Sequence, residues 1–536
     1  MMKIRQSLWA VFVLGLSLQA FAQDPVAQKY AGVITPKLGK KHLKILASDK
    51  YEGRETGKPG AEKAANYIAA EFKKLGLTAP VNGSYFQDVP LVETAFEVGS
   101  FSVNGTNLTI GKDFLFTGSG ATKEIKASDI VFVGYGISSE NYDDLKNIDI
   151  RGKVVMLINK GEPMLNGVSA ISKTATPSDW TSSRSKRLQN IMSNGPSLII
   201  AVSPEVSNSL KQYRPATGRL SLKKGNTPAA SARAGSAAIV YTTPEVANLI
   251  LKNSGKTFDG LKSAIDNTSM PQSQTLSSTV AMNYGPSLKD VRSVNVLGYL
   301  EGSDLKDEVL VFSAHYDHIG LTTDGGTDKV NNGADDDGSG TTGVLEIARA
   351  YAKAKKQGKG PRRSILFLLV TGEEKGLLGS EWYAENPIYP MANTITDLNI
   401  DMIGRTGEEY KGTADSANYC YLIGSDKLSS DLHKISENAN AVYTKMKIDY
   451  KYNDPKDPER IYYRSDHYNF AKNGVPIVFY FNGVHEDYHK PSDEVKKINF
   501  QLLTKRAQLV FYTGWDLANR DKRPAVDVKN DMPNSR

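Results

Sequence analysis

Apolar residues between positions 61 and 75 recur at helical spacing, with Ala64, Ile68, Phe72 and Leu75 on one face. This predicts an amphipathic surface helix that Gly76 ends as a left-handed cap. From about Phe114 to Asn283 the pattern changes to short β-like runs, such as 129–133 and 153–158, joined by Ser-, Gly- and Asn-rich connections. That texture predicts an inserted, mainly β domain, within which residues 223–237, rich in Ser, Ala, Gly and basic side chains, read as a mobile loop. From Ser293 onward, short apolar runs at 309–312, 365–370, 398–400 and 476–481 alternate with helical stretches. Short apolar runs of this kind belong to strands covered on both faces. The clearest helix begins near Ser339, a good N-cap, carries Val344, Leu345, Ala348 and Tyr351 on one face, and ends in Lys353, Lys355 and Lys356 before Gly358 and Pro361. The order predicts an α/β fold: a mixed, mostly parallel central sheet with helices on both faces, binding its ligands beyond the carboxyl ends of the strands.

The first 22 residues stand apart from this pattern. Lys3 and Arg5 precede an apolar run from Leu8 to Leu18, and Ala20-Phe21-Ala22 is an A-x-A site, the three parts of a secretory signal peptide with cleavage expected after Ala22. No later stretch reaches the roughly 18 apolar residues of a membrane span, so a periplasmic or secreted chain with no integral membrane segment is expected. At roughly 150 residues per domain, 536 residues make two to four domains. We place the divisions at 1–22 for the signal peptide, 23–113 for the first part of the main domain, 114–283 for the insert and 284–536 for the remainder. The balance of 66 Lys and Arg against 59 Asp and Glu is spread along the chain, which argues against a nucleic-acid partner. The single cysteine, Cys420, excludes an intramolecular disulfide and a thiolate-based zinc site.

Ligand-type residues follow the predicted strands. Strand one runs into Ser313-Ala-His-Tyr-Asp-His318, and a Gly-rich loop then gives Asn332-Gly-Ala-Asp-Asp-Asp-Gly338 ahead of the helix. The next strand runs into Thr371-Gly-Glu-Glu374, the third carries Asp401, and the fourth is followed by Asp487-Tyr-His-Lys-Pro-Ser-Asp493. Taken singly, three aspartates suit a helix cap and paired glutamates suit solvent. Four strand ends delivering carboxylates and imidazoles to one edge instead point to a metal site, and hard oxygens with imidazole and no thiolate suit zinc, or failing it manganese or cobalt.

These stretches resemble the co-catalytic di-zinc aminopeptidases, relatives of glutamate carboxypeptidase and glutaminyl cyclase. Residues 46–54 and Gly57-Lys-Pro-Gly60 are similar to that family's opening segment, and 129–137 with Gly152-Lys-Val-Val155 resembles the protease-associated (PA) domain inserted in many members. The resemblance implies the zinc exopeptidase fold with a PA-like insert and a site for two Zn2+. Asp336, His315 and Asp401 would share one ion and Asp336, Glu374 and His489 the other, with Asp336 as the bridge and the bond to Asp337 in cis. Asp317 would orient His315, and Tyr488 would stabilise the oxyanion unless it is simply packed. Glu373, crowded away from its neighbour's ion, would act as general base and then acid on a water acidified by the metals. Arg464 would contact substrate oxygens, or Ser465 beside it would merely cap a helix; His318 and His467 are left as supporting or structural residues. The implied activity is removal of N-terminal residues from peptides with a free N-terminus. A carboxypeptidase, a glutaminyl cyclase and a metal-free binding ectodomain are the alternatives.

Overall fold

The computed structural model describes residues 23–119, 121–213, 218–223, 237–322 and 326–532. The expected signal peptide and nearly all of the 223–237 loop lie outside these residues. The chain forms two compact units, one made of residues 1–89 and 292–536 and the other of Pro90–Val291.

In the first unit the sheet order is Lys447–Asp449, Tyr419–Ile423, Ile477–Phe481, Thr394–Ile400, Leu305–His315, Arg363–Val370 and then the end of the long strand Gln274–Leu300. The four strands from 477–481 to 363–370 run parallel; the 419–423 strand is antiparallel to 477–481 and parallel to 447–449, and the 274–300 strand is antiparallel to 363–370. The apolar runs within these strands have a direct cause. Phe312, Leu398 and Phe367 face one core with the helices Pro59–Leu75, Gly338–Lys356 and Phe500–Asn519, while Val311, Leu366 and Leu368 face another with Tyr383 and Phe470 from Leu378–Glu385 and His467–Ala471. Burying each such side chain contributes about 1.5–3 kcal/mol, so both faces must carry apolar residues. The mixed, mostly parallel sheet with helices on both faces is the architecture the patterning predicts.

The Pro59–Leu75 helix ends with Gly76 at φ 75°, as expected. The Gly338–Lys356 helix corrects one expectation. Its cap is Asp337, whose carboxylate accepts from Gly340 N at 2.8 Å, rather than Ser339, whose hydroxyl turns back to Asp335 O. Both are good capping residues, and the preceding loop selects between them.

The second unit is wider than the 114–283 segment expected and less purely β. It includes much of the strand Phe86–Val103 at one end and of Gln274–Leu300 at the other. Its strands Lys123–Phe132, Val154–Ile158, Leu198–Val202 and Ala238–Thr242 are parallel, and they alternate with helices that include Arg184–Ser193, Pro244–Leu251 and Phe258–Asp266. Residues that read as connections are helix caps: Ser178, Ser183 and Thr257 accept from Trp180 N, Lys186 N and Gly260 N. Polar residues of this type signal a loop and a helix start equally well. The unit has its own cores, one around Met156, Ile200 and Val240 and one around Val155, Leu157 and Ile199.

Candidate metal centre

The carboxyl ends of the parallel strands meet at one cluster in the first unit. His315 is the last residue of its strand, and its Nε2 lies 3.3 Å from Asp336 Oδ1, 3.6 Å from Asp401 Oδ2 and 3.8 Å from Glu373 Oε2. On the other side, His489 Nε2 lies 3.0 Å from Asp336 Oδ2 and 3.1 Å from Glu374 Oε2. Asp336 therefore presents one oxygen to each imidazole. His315, Asp336, Glu374, Asp401 and His489 all converge, as the strand-end argument requires.

Neighbouring groups separate the three consecutive aspartates. Asp335 accepts from Gly404 N at 2.7 Å and from His485 Nε2 at 3.1 Å. Asp337 caps its helix and also accepts from Met402 N at 3.1 Å. Only the middle carboxylate is left facing both histidines. Its backbone is held by Asp493, whose Oδ2 accepts from the N–H groups of Asp335 and Asp336, and the Asp336–Asp337 peptide is cis. Gly340 permits this packing, because a Cβ there would stand 2.3 Å from Ile400 O.

A second clamp comes from the N-terminal segment. Arg54 is buried and donates to Tyr316 O, Leu46 O, Asn332 O and Gly333 O at 2.7–2.8 Å. One guanidinium thus ties the loop after the first strand to the loop that carries the aspartates, using the fixed fork of donors that only Arg offers.

Two residues differ from expectation. Asp317 does not orient His315 through its carboxylate, which is 3.8 Å from Nδ1 and instead accepts from Thr56 Oγ1 at 2.6 Å and Glu373 N at 3.3 Å. The backbone carbonyl of Asp317 accepts from His315 Nδ1 at 3.1 Å and fixes the tautomer, leaving Nε2 to face the carboxylates. His318 sits closer than expected: it is fully buried, with Nδ1 2.8 Å from Glu374 Oε1 and 3.8 Å from Asp336 Oδ2. His485, also buried, had no spacing signal to mark it in the sequence.

The electrostatics are those of an acidic cluster removed from water. Burial pushes the Glu373 carboxyl well above its usual range, with Glu374, Asp401 and Asp466 adding to the effect and His315 opposing it. Burial also works to raise Asp336, but His315 and His489 hold it well below the ordinary value, and His318 and His489 likewise hold Glu374 down at about 2. His489 is raised to about 10 by Asp336 and Glu374, against the effect of its burial.

The donor set fits divalent ions. His315 Nε2, Asp336 Oδ2, Glu374 Oε1 and both ring nitrogens of His318 are buried and make no aligned hydrogen bond, although they stand within contact range of one another. Buried polar atoms without partners are costly, and short distances with poor hydrogen-bond angles are what shared coordination would leave. His318, Asp336 and Glu374 form one group able to hold an ion, and His315, Asp337 and Asp401 another.

The cluster opens on a cleft of about 360 Å³ bounded by Glu373, Glu374, Leu377, Arg460, Arg464 and Tyr488. Arg464 is exposed, with Nη2 3.4 Å from the Tyr488 hydroxyl. Burial, with Asp336 and Glu374, pushes that phenol above its usual range while Arg464 opposes them, so it remains a donor. Asp336, Glu373 and Asp401 also line a small cavity with Ile461, Phe479 and Phe481. Arg460 is a cleft residue that the motifs did not mark.

The model of peptidase family M28 matches residues 295–514. A probable zinc metalloprotease of Phaeosphaeria nodorum is 28% identical over 287 residues, covering 44% of this chain and 54% of that one. Aminopeptidase YwaD of Bacillus subtilis is 24% identical over 256 residues, covering 45% and 48%. The chain spans about half the length of the curated relatives it matches. Among solved structures, an aminopeptidase from Aneurinibacillus sp. strain AM-1 aligns with a TM-score of 0.48 at 18% identity, over 95% of this chain and 100% of that one.

Proposed function

The chain carries a peptidase family M28 domain, and we propose that it is a zinc-dependent aminopeptidase acting on peptides with a free N-terminus. The observation that carries this reading is Asp336, one oxygen turned to His315 and the other to His489. His315, Asp336 and Asp401 would hold one Zn2+ and Asp336, Glu374 and His489 the other, with Mn2+ or Co2+ as possible substitutes. Bound there, the ions would acidify a water and polarise the scissile carbonyl.

The chain's own groups do the rest. Glu373, shifted upward by burial, takes the proton of the attacking water and returns it to the leaving amine. Tyr488 donates to the oxyanion that develops as the carbonyl is attacked. Asp317 touches no reacting atom; it positions Glu373 by accepting from its backbone N–H. Arg464, at the cleft edge, holds substrate carbonyl oxygens.

Arg460 beside Arg464 favours a second reading, a carboxypeptidase whose two guanidiniums clamp a terminal carboxylate. A panel of aminoacyl amides, their N-acetylated forms and N-acetyl peptides with a free C-terminus separates the two. Cleavage of the amides but not of blocked substrates is expected, together with two zinc per chain; hydrolysis of the N-acetyl peptides alone would transfer the assignment to the second reading.

The Pro90–Val291 unit is assigned to a PA-like insert that assists substrate selection, and loss of residues 114–283 without change in peptide-size preference would count against it. Export to the periplasm or beyond follows from the leader. Sequencing the mature protein should read Gln23 first.

A further inference from the structure

Behind the cluster lies a row of hydrogen bonds that begins at Asp401 and leads away from the cleft. Asp401 Oδ2 is 2.7 Å from Ser465 Oγ, and Ser465 Oγ is 2.9 Å from Asn399 Nδ2. Asn399 Oδ1 is 2.8 Å from Ser313 Oγ, which is 2.7 Å from Asp397 Oδ1. All five residues are buried, and every one except Asp401 is wholly inaccessible. The strands build the row: residues 397, 399 and 401 alternate onto one face, and Ser313 is the register partner of Asn399 on the parallel neighbour.

Counting hydrogens fixes a protonation state. Four contacts join five groups, and each contact needs one hydrogen. The two serine hydroxyls supply one each. The Asn399 carboxamide donates to one neighbour and accepts from the other, so it supplies one more whichever way it is turned. The fourth must come from a carboxyl at one end of the row. With the amide nitrogen turned to Ser465, the donors run towards Asp401, and the missing hydrogen belongs to Asp397.

We propose that Asp397 is held as the neutral acid and is the first donor of a relay through Ser313, Asn399 and Ser465 that fixes the orientation of the Asp401 carboxylate. Asp397 is a positioning residue, and its part rests on the reading of Asp401 as a zinc ligand. The surroundings agree. The second oxygen of Asp397 has no hydrogen-bond partner, and the titratable groups that face it are Asp466 and Tyr383, neither a cation. Burial, with Asp466 adding, pushes the Asp397 carboxyl well above the usual carboxylate range despite the bond from Ser313. A metal ligand tied by a hydrogen-bonded outer shell loses about 10–100-fold in affinity when that shell is cut.

The test uses the full chain, zinc, and the variants Asp397→Asn and Ser313→Ala. The infrared difference spectrum of zinc-loaded wild type against Asp397→Asn should contain the carbonyl stretch of a neutral carboxylic acid, clear of the amide bands. Competition with a chelator should show Asp397→Asn, whose amide still donates to Ser313, within about threefold of wild-type zinc affinity, and Ser313→Ala weaker by about 10–100-fold. Absence of the band, or an Asn variant that releases zinc as readily as Ser313→Ala, would overturn the relay while leaving the metal site standing. Failure of the wild-type chain to take up zinc would sink the metal reading itself, and the relay with it.

Discussion

Asp335, Asp336 and Asp337 are chemically identical neighbours, and what separates them is the set of partners each one meets. Asp336 and Asp337 each leave one buried oxygen without a hydrogen-bond donor, but it is Asp336 that stands between the imidazoles of His315 and His489. Replacing it with Ala should abolish zinc uptake along with activity, whereas Glu373→Gln should keep both ions by metal analysis and lose about 10²–10⁴-fold in kcat, the usual worth of a general base. Strand geometry made legible that the stretches carrying the five ligand-type residues meet at one edge, while the family resemblance, and not spacing, singled out Asp336 among its neighbours. His318, His485 and Arg460 were not legible, since a lone imidazole or guanidinium carries no spacing signal and only packing decides what it meets. His467 is a structural histidine whose role can be read by pH. Burial lowers its pKa to about 3, its Nε2–H donates to Tyr462 O at 2.8 Å, and its ring stacks on Phe479 at 4.7 Å. A depressed pKa means that the folded state binds fewer protons than the unfolded one. The stabilisation is therefore complete above the unfolded value near 6.5 and is lost as pH falls towards 3. Denaturant unfolding of metal-free wild type and His467→Gln should show the wild-type advantage shrinking by roughly 2–3 kcal/mol between pH 7.5 and 4.5, at about 1.4 kcal/mol per pH unit below 6.5.

At the scale of elements, what matters is how loops are held at strand ends. The Leu305–His315 strand and the Gly338–Lys356 helix are joined through a long Gly-rich loop, and Arg54 clamps both ends of that loop by donating to carbonyls of residues 316, 332 and 333. Lysine carries one ammonium and cannot span four separate carbonyls, so Arg54→Lys strands buried acceptors that cost about 1–3 kcal/mol each. The expected result is a chain destabilised by several kcal/mol that also binds zinc more weakly; a variant with wild-type unfolding and zinc titration would show that the loops hold themselves. Periodicity revealed the helices 59–75 and 338–356 because both bury a wide apolar face. It missed the helices of the Pro90–Val291 unit because they are short and begin at serines and threonines, whose hydroxyls cap a helix and close a turn by the same hydrogen bond. The strand at 394–400 was read only for its apolar residues; its other face, with Asp397 and Asn399, is buried as well.

For the molecule as a whole, the division into two units, each with its own apolar cores, bears on stability as well as anatomy. Every candidate ligand lies in the unit formed by residues 1–89 and 292–536, so binding of zinc is linked to the unfolding of that unit and not to that of Pro90–Val291. A ligand that binds only the native state stabilises it by about 4 kcal/mol when its free concentration is roughly a thousandfold above its dissociation constant. Calorimetry of the full chain should therefore resolve two transitions, of which one moves up by several degrees on zinc addition and falls back with a chelator while the other stays fixed. The shifting transition should be the one that Asp336→Ala leaves insensitive to zinc. A single transition that moves as a block would mean that the two units unfold cooperatively despite their separate cores, and movement of both in the Asp336→Ala variant would place a zinc site outside the cluster at the strand ends.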